Sequence, residues 1–133
     1  MLKKMWAASV VMTLAATAAF AAAADIDFSD FDDTLMRSMD DAIKDLDSNL
    51  GGQDATASLA NTQVLSEGLA WAEKYFANKP EAPLGAGYAR EGKEHLAALT
   101  QSLEAGNFDA ASNNVRAVVR TCKSCHEAYK PPE

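Results

Sequence analysis

The sequence predicts an all-α fold, an antiparallel up-down-up-down four-helix bundle. Three observations carry that expectation. Apolar residues recur at spacings of three and four through four separate stretches, and capping residues, glycine or proline bound those stretches. No alternating strand pattern, repeat or low-complexity run interrupts them. Helices of about 20 residues joined by short connections pack most simply with each neighbour reversed.

The chain opens with Met1-Leu2-Lys3-Lys4, and then runs without a charge from Met5 to Ala24. Lys3 and Lys4 form a positive start, the stretch to about Phe20 is apolar, and Ala22-Ala23-Ala24 offers a small-residue cleavage site before Asp25. A membrane anchor is the competing reading, but the second half of the run is mostly alanine and threonine, too weakly apolar to hold a span. Residues 1–24 are therefore expected to be a removed secretory signal, with cleavage one or two residues earlier fitting equally. Residues 25–133 are then a single domain of modest core.

The first helix is expected over about 28–50, with Ser29 or Asp30 as its cap. Met36, Met39, Ile43, Leu46 and Leu50 form its apolar stripe, and Gly51-Gly52 ends it, the first glycine suiting a left-handed cap. The second, about 55–77, is capped by Asp54 or Thr56. Leu59, Thr62, Leu65, Leu69, Ala72 and Phe76 make its stripe, which Val64, Trp71 and Tyr75 widen. Pro80 excludes its predecessor from helical geometry, so 80–87 reads as loop. The third helix begins at Tyr88 or Ala89 and passes through Gly92, Leu96, Leu99 and Leu103 to Gly106. Gly92 costs about 1 kcal/mol against alanine, and suits a close approach by a neighbouring helix or a flat cofactor edge. Asn107 caps the fourth, with Asp109 in its first turn. Phe108, Ala111, Val115, Val118, Cys122, Cys125 and Tyr129 make its stripe, and Pro131-Pro132 closes the chain.

That last stripe carries the sharpest motif, Cys122-Lys123-Ser124-Cys125-His126. Cys-x-x-Cys-His is the attachment spacing of a c-type haem. Two thiols one helical turn apart add to the two vinyl groups, and the adjacent imidazole meets the iron as an axial ligand. The chain has no other cysteine. A structural zinc site needs four ligands, and the one other histidine, His95, has no cysteine beside it. A dithiol redox motif belongs at a strand-to-helix junction, and nothing upstream reads as a strand. One covalently held haem c is the expected cofactor.

The formal charge is −7, and loss of the signal removes Lys3 and Lys4 and no acid, leaving −9. So acidic a surface argues against nucleic acid or an anionic membrane as partner, and after cleavage no membrane insertion is expected. A protein with a complementary basic patch fits better. No carboxylate pair, serine–histidine arrangement or glycine-rich phosphate loop is present, which favours a carrier over an enzyme.

A secreted chain of four helices with Cys-x-x-Cys-His in the last turns of the fourth resembles the cytochrome c prime family, the class II cytochromes c. The run from Thr121 to Tyr129 is similar to that family's C-terminal motif, and the resemblance spans the mature chain, although only the haem motif is sharp. It implies attachment of the haem in the bacterial periplasm, which agrees with an export signal. It also implies that the first helix lends a side chain to the far face of the haem, and here that helix carries Leu35-Met36-Arg37-Ser38-Met39. Two departures stand out. The connection between the second and third helices is short for the family. Asp32 stands four residues before Met36, where an arginine is often found. Both point toward the low-spin, methionine-ligated members.

Under that resemblance Met36 is the expected distal iron ligand and Met39 the second choice, because the start of the first helix lies level with the end of the fourth. A thioether opposite histidine raises the potential and suits electron transfer. The leading expectation is thus a periplasmic monohaem cytochrome carrying single electrons, with His126 proximal. Its rival is a five-coordinate relative that binds nitric oxide or carbon monoxide. A helical interaction module with an accidental motif is the third reading. Arg116, Arg120, Lys123 and Arg37 are candidates to pair with haem propionates, though solvation or pairing with acids explains each one. His95 reads as a surface or core-edge residue, and Trp71, Tyr88 and Tyr129 as core aromatics or porphyrin neighbours. Members of the family often pair through their first two helices, which leaves a homodimer open.

Overall fold

The computed structural model describes residues 26–129 as four helices: α1 (Asp33–Gly51), α2 (Ala55–Ala77), α3 (Gly85–Glu104) and α4 (Phe108–Tyr129). There is no strand among the described residues. The signal reading of 1–24 and the closing Pro131-Pro132 lie outside them. The helical bundle expected from the apolar spacing is the fold adopted.

α1 begins later than its sequence suggests. Asp32, not Ser29 or Asp30, is the cap, its carboxylate accepting from the backbone N–H groups of Thr34 at 2.9 Å and Leu35 at 3.0 Å. The preceding residues form a turn closed by Phe31 N–H to Phe28 O at 2.9 Å. The two expected caps are engaged elsewhere: Ser29 gives its N–H to Asp27, and the Asp30 carboxylate is held by Tyr75 and Lys79. The far end also differs. Gly51 stays helical and Gly52 keeps right-handed geometry at φ −83°, so the left-handed position falls to Gln53 at φ 55°. Gln53 N–H bonds to Leu50 O and Asp54 N–H to Asn49 O, the paired bonds of a Schellman ending.

α2 has the expected bounds, with Asp54 accepting from Ala57 N–H at 2.9 Å. Val64 and Trp71 do not widen its buried stripe; they are 40% and 37% exposed. The face that α2 buries is built from Ser58, Thr62, Leu65, Gly68, Leu69 and Ala72, which leaves those two on the flank. α3 starts at Gly85, before the expected Tyr88, although two glycines in its first turn are poor helix formers. Tertiary packing explains the gain: the Phe76 ring occupies the space where a side chain on Gly85 would stand. α3 ends in a second Schellman pair, Gly106 N–H to Leu103 O and Asn107 N–H to Ser102 O, with Gly106 at φ +68°. Asn107 then caps α4 by accepting from Ala110 N–H at 3.0 Å. Gly106→Ala should cost about 1–2 kcal/mol, the left-handed penalty of a side chain, read as a fall in thermal midpoint.

Each helix packs on its neighbours in sequence, and α4 returns to α1 to close the ring; across the diagonal, Phe76 at the end of α2 reaches Tyr129 at the end of α4. Residue pairs give the directions. Asn49 near the end of α1 bonds Asn61 near the start of α2, Glu73 late in α2 holds Lys93 early in α3, and Asn114 early in α4 bonds Ser102 late in α3. Each helix thus runs back along the one before it. Leu46, Leu65, Leu96, Leu99 and Val118 fill the centre, all 1% exposed or less. Gly92 serves a helix contact: a Cβ there would lie 2.7 Å from the Leu69 side chain. The α1–α4 seam is much the thinnest of the four.

Candidate functional site

The apolar periodicity of α4 carries it into the core through Ala111, Val115 and Val118 and brings Cys122 against the same cluster. Cys125 follows one turn later, with His126 beside it, and all three are half-buried. Neither thiol is in a disulfide. Burial pushes the Cys122 thiol up, while burial together with neighbouring Cys122 pushes Cys125 up to about 11. Both sulfurs therefore stay protonated at neutral pH. Among the described residues no three His, Cys, Asp or Glu side chains gather as a metal cage.

The start of α1 lies level with this end of α4, because the Phe28 ring meets the Tyr129 ring edge-on at 6.2 Å between centroids. Met36 stands three residues inside α1 and His126 three residues from the end of α4, each ~4.5 Å along its helix. The late start of α1 puts Met36 this near the end. Met36 is half-buried, whereas Met39 is 6% exposed and packs its thioether over Gly68 of α2, where a Cβ would lie 2.7 Å from Met39 Cγ. The two methionines thus differ: the sulfur of Met39 is engaged in packing between α1 and α2. Two free thiols one turn apart with an imidazole next to the second are the donor set that a covalently attached haem requires.

The remaining candidates scatter. Arg37, Arg116, Arg120 and Lys123 are exposed; Arg116 bonds Asn113, and Lys123 lies 3.8 Å from Glu127. His95 sits on α3 with Nε2 3.6 Å from Glu91, away from the motif in sequence and helix. Tyr88 is half-buried on α3. Tyr129 accepts the N–H of Leu84 at 2.8 Å and so ties the end of α4 to the α2–α3 connection.

The sequence reading missed an aromatic cluster that closes this end of the bundle. Phe28 and Phe31, from the segment before α1, meet Trp71, Tyr75 and Phe76 of α2, and Phe76 stacks on Tyr129 of α4 at 5.9 Å. Lys79 lies over the Phe28 and Tyr75 rings and bonds the Asp30 carboxylate at 3.2 Å. The available signal was Phe-x-x-Phe just ahead of the Asp32 cap, a staple-like placement that the acidic composition of 25–33 obscured.

The Asp30 clasp gives a pH dependence. Hydrogen bonds from Tyr75 and then Lys79 hold its carboxyl below the ordinary aspartate value of 3.8. A lowered folded pKa means stability that is present above 3.8 and lost as the pH falls through the lowered value. In a Trp6→Phe chain, Trp71 fluorescence should change over that acid window, and Asp30→Asn should remove the change while sparing helix content by circular dichroism.

No protein-family model, curated protein or solved structure matches this chain. No helix among the described residues is long and apolar enough to cross a membrane.

Proposed function

We propose that this chain is a periplasmic monohaem c-type cytochrome that carries single electrons and is not an enzyme. One arrangement supports this above all others: two free, half-buried thiols one turn apart with His126 directly after them, at the end of the bundle where Met36 enters α1. When bound, haem would supply a one-electron iron couple. Cys122 and Cys125 would hold it covalently through their sulfurs. His126 and Met36 would ligate its iron, with Met39 as second choice to Met36. The acidic surface selects a redox partner with a basic patch.

The test is the absorption spectrum of the chain produced with a c-type haem maturation system. Methionine ligation should give a low-spin spectrum with the weak sulfur-to-iron charge-transfer band and no response to carbon monoxide. Met36→Ala should turn the spectrum high-spin and gas-sensitive, whereas Met39→Ala should lower stability by about 2–5 kcal/mol and keep the low-spin bands. A native spectrum that is broad and shifts with carbon monoxide would replace this reading by the five-coordinate gas binder. A chain with no Soret band would sink both.

A further inference from the structure

The aromatic cluster contains a group of side chains that the reading above leaves without a chemical role. Tyr75 donates its hydroxyl to Asp30 Oδ1 at 2.5 Å, and Lys79 Nζ reaches the same oxygen at 3.2 Å. The Lys79 side chain is only 12% exposed, with its ammonium 5.1 Å from the centre of the Tyr75 ring. One turn earlier on α2, Trp71 stacks on Tyr75 at 5.3 Å and 13° between planes, and its indole is partly exposed at a surface groove of about 520 Å³.

We propose that Trp71, Tyr75 and Asp30 form a redox-active, proton-coupled site through which one electron leaves or enters the protein surface. Indole and phenol are the protein side chains most readily oxidised by one electron, aside from sulfur. A phenol that loses an electron becomes a strong acid, so its oxidation is easy only where a base already holds the proton. Asp30 is that base: it is ionised and bonded to the hydroxyl. An outer-sphere one-electron oxidant at the groove takes an electron from the stacked Trp71–Tyr75 pair. The Tyr75 O–H bond breaks, the proton passes to Asp30 Oδ1, and a neutral phenoxyl radical and a neutral carboxylic acid remain. The site has lost one electron and kept its proton. Lys79 stays an ammonium, and its charge over the ring disfavours a cationic radical, which forces electron and proton to leave the phenol together. A reductant returns the electron and Asp30 returns the proton.

The rings continue inward. Tyr75 meets Phe76 at 5.1 Å, and Phe76 stacks on Tyr129, one turn beyond Cys125 on α4. That inward route, from the surface to the motif end of α4, rests on the cytochrome reading; the Trp71–Tyr75–Asp30 site does not.

Photo-oxidation separates the two. The purified full chain is flashed with tris(bipyridine)ruthenium and persulfate, and the tyrosyl radical is followed by transient absorption and electron paramagnetic resonance. The same measurement on a Cys122→Ala, Cys125→Ala chain removes any contribution from haem. Tyr75→Phe should abolish the fast radical phase although Tyr88 and Tyr129 remain. Asp30→Asn should slow that phase by roughly 10²-fold, the usual worth of a positioned proton acceptor, and Asp30→Glu should restore most of it. Trp71→Phe should slow it without removing the Tyr75 radical. A fast phase that survives Tyr75→Phe, or that Asp30→Asn leaves unchanged while only stability falls, would overturn the proposal and reduce the trio to a structural clasp. Failure of the haem spectrum would sink the cytochrome reading alone.

Discussion

Replacing Cys122 and Cys125 together with alanine should abolish covalent haem completely, seen as loss of the haem-stained band on a denaturing gel. The expectation follows from bond type. A haem held only by ligation dissociates when the chain is denatured, and a thioether does not, so the gel reports sulfur–carbon bonds and nothing else. Each single replacement should leave one bond and a weaker band, with Cys125 the more damaging because it adjoins His126 and fixes the register of the imidazole. His126→Ala should give the complementary result: covalent attachment persists on the two thiols while the low-spin spectrum is lost. If the double variant kept its stained band, the chain's other nucleophiles would be holding the haem, and the motif would have no part in it.

The largest stability effect is expected at Leu46, which has no exposure at all and sits at the middle of α1 in the main cluster. Leu46→Ala should cost about 2–5 kcal/mol, combining lost transfer energy with the cavity left behind. For a domain near 100 residues each kcal/mol moves the midpoint by about 4–8 °C, so a fall on the order of 10–30 °C is expected by circular dichroism. Val64→Ala, on the exposed flank of α2, should stay within about 0.5 kcal/mol of the parent. Equal effects at the two positions would contradict the packing described.

Much of the fold was legible because helices leave a periodic trace and capping residues punctuate it. The bounds of α2 and the Asn107 cap of α4 follow from residues a few positions apart. The misjudged places share one cause, which is that distant residues decided them. Asp30 was available as a cap until Tyr75, 45 positions away, took its carboxylate. Gly85 read as loop because the Phe76 ring that fills its empty side is invisible in a local window. Val64 and Trp71 are apolar at helical spacing, and only the positions of α1 and α3 reveal that neither helix buries them, with Phe31 meeting Trp71 from the segment before α1. At the candidate site the motif needed no structure. The contrast between Met36 and Met39 did, since both are methionines on one stripe and Gly68 on another helix engages one of them.

The ring of helix contacts has a consequence for how the chain comes together. Its three substantial interfaces all join helices consecutive in sequence, and the thin one joins the first helix to the last. Loops closed during folding are therefore short, relative contact order is low, and α2–α3–α4 can assemble before α1 is committed, which favours folding in microseconds to milliseconds. The same arithmetic makes α1 the segment that opens most cheaply from the finished bundle. Its departure uncovers the flank of α4 that it covers, so any bond made across that seam would act as a latch between the first helix and the last.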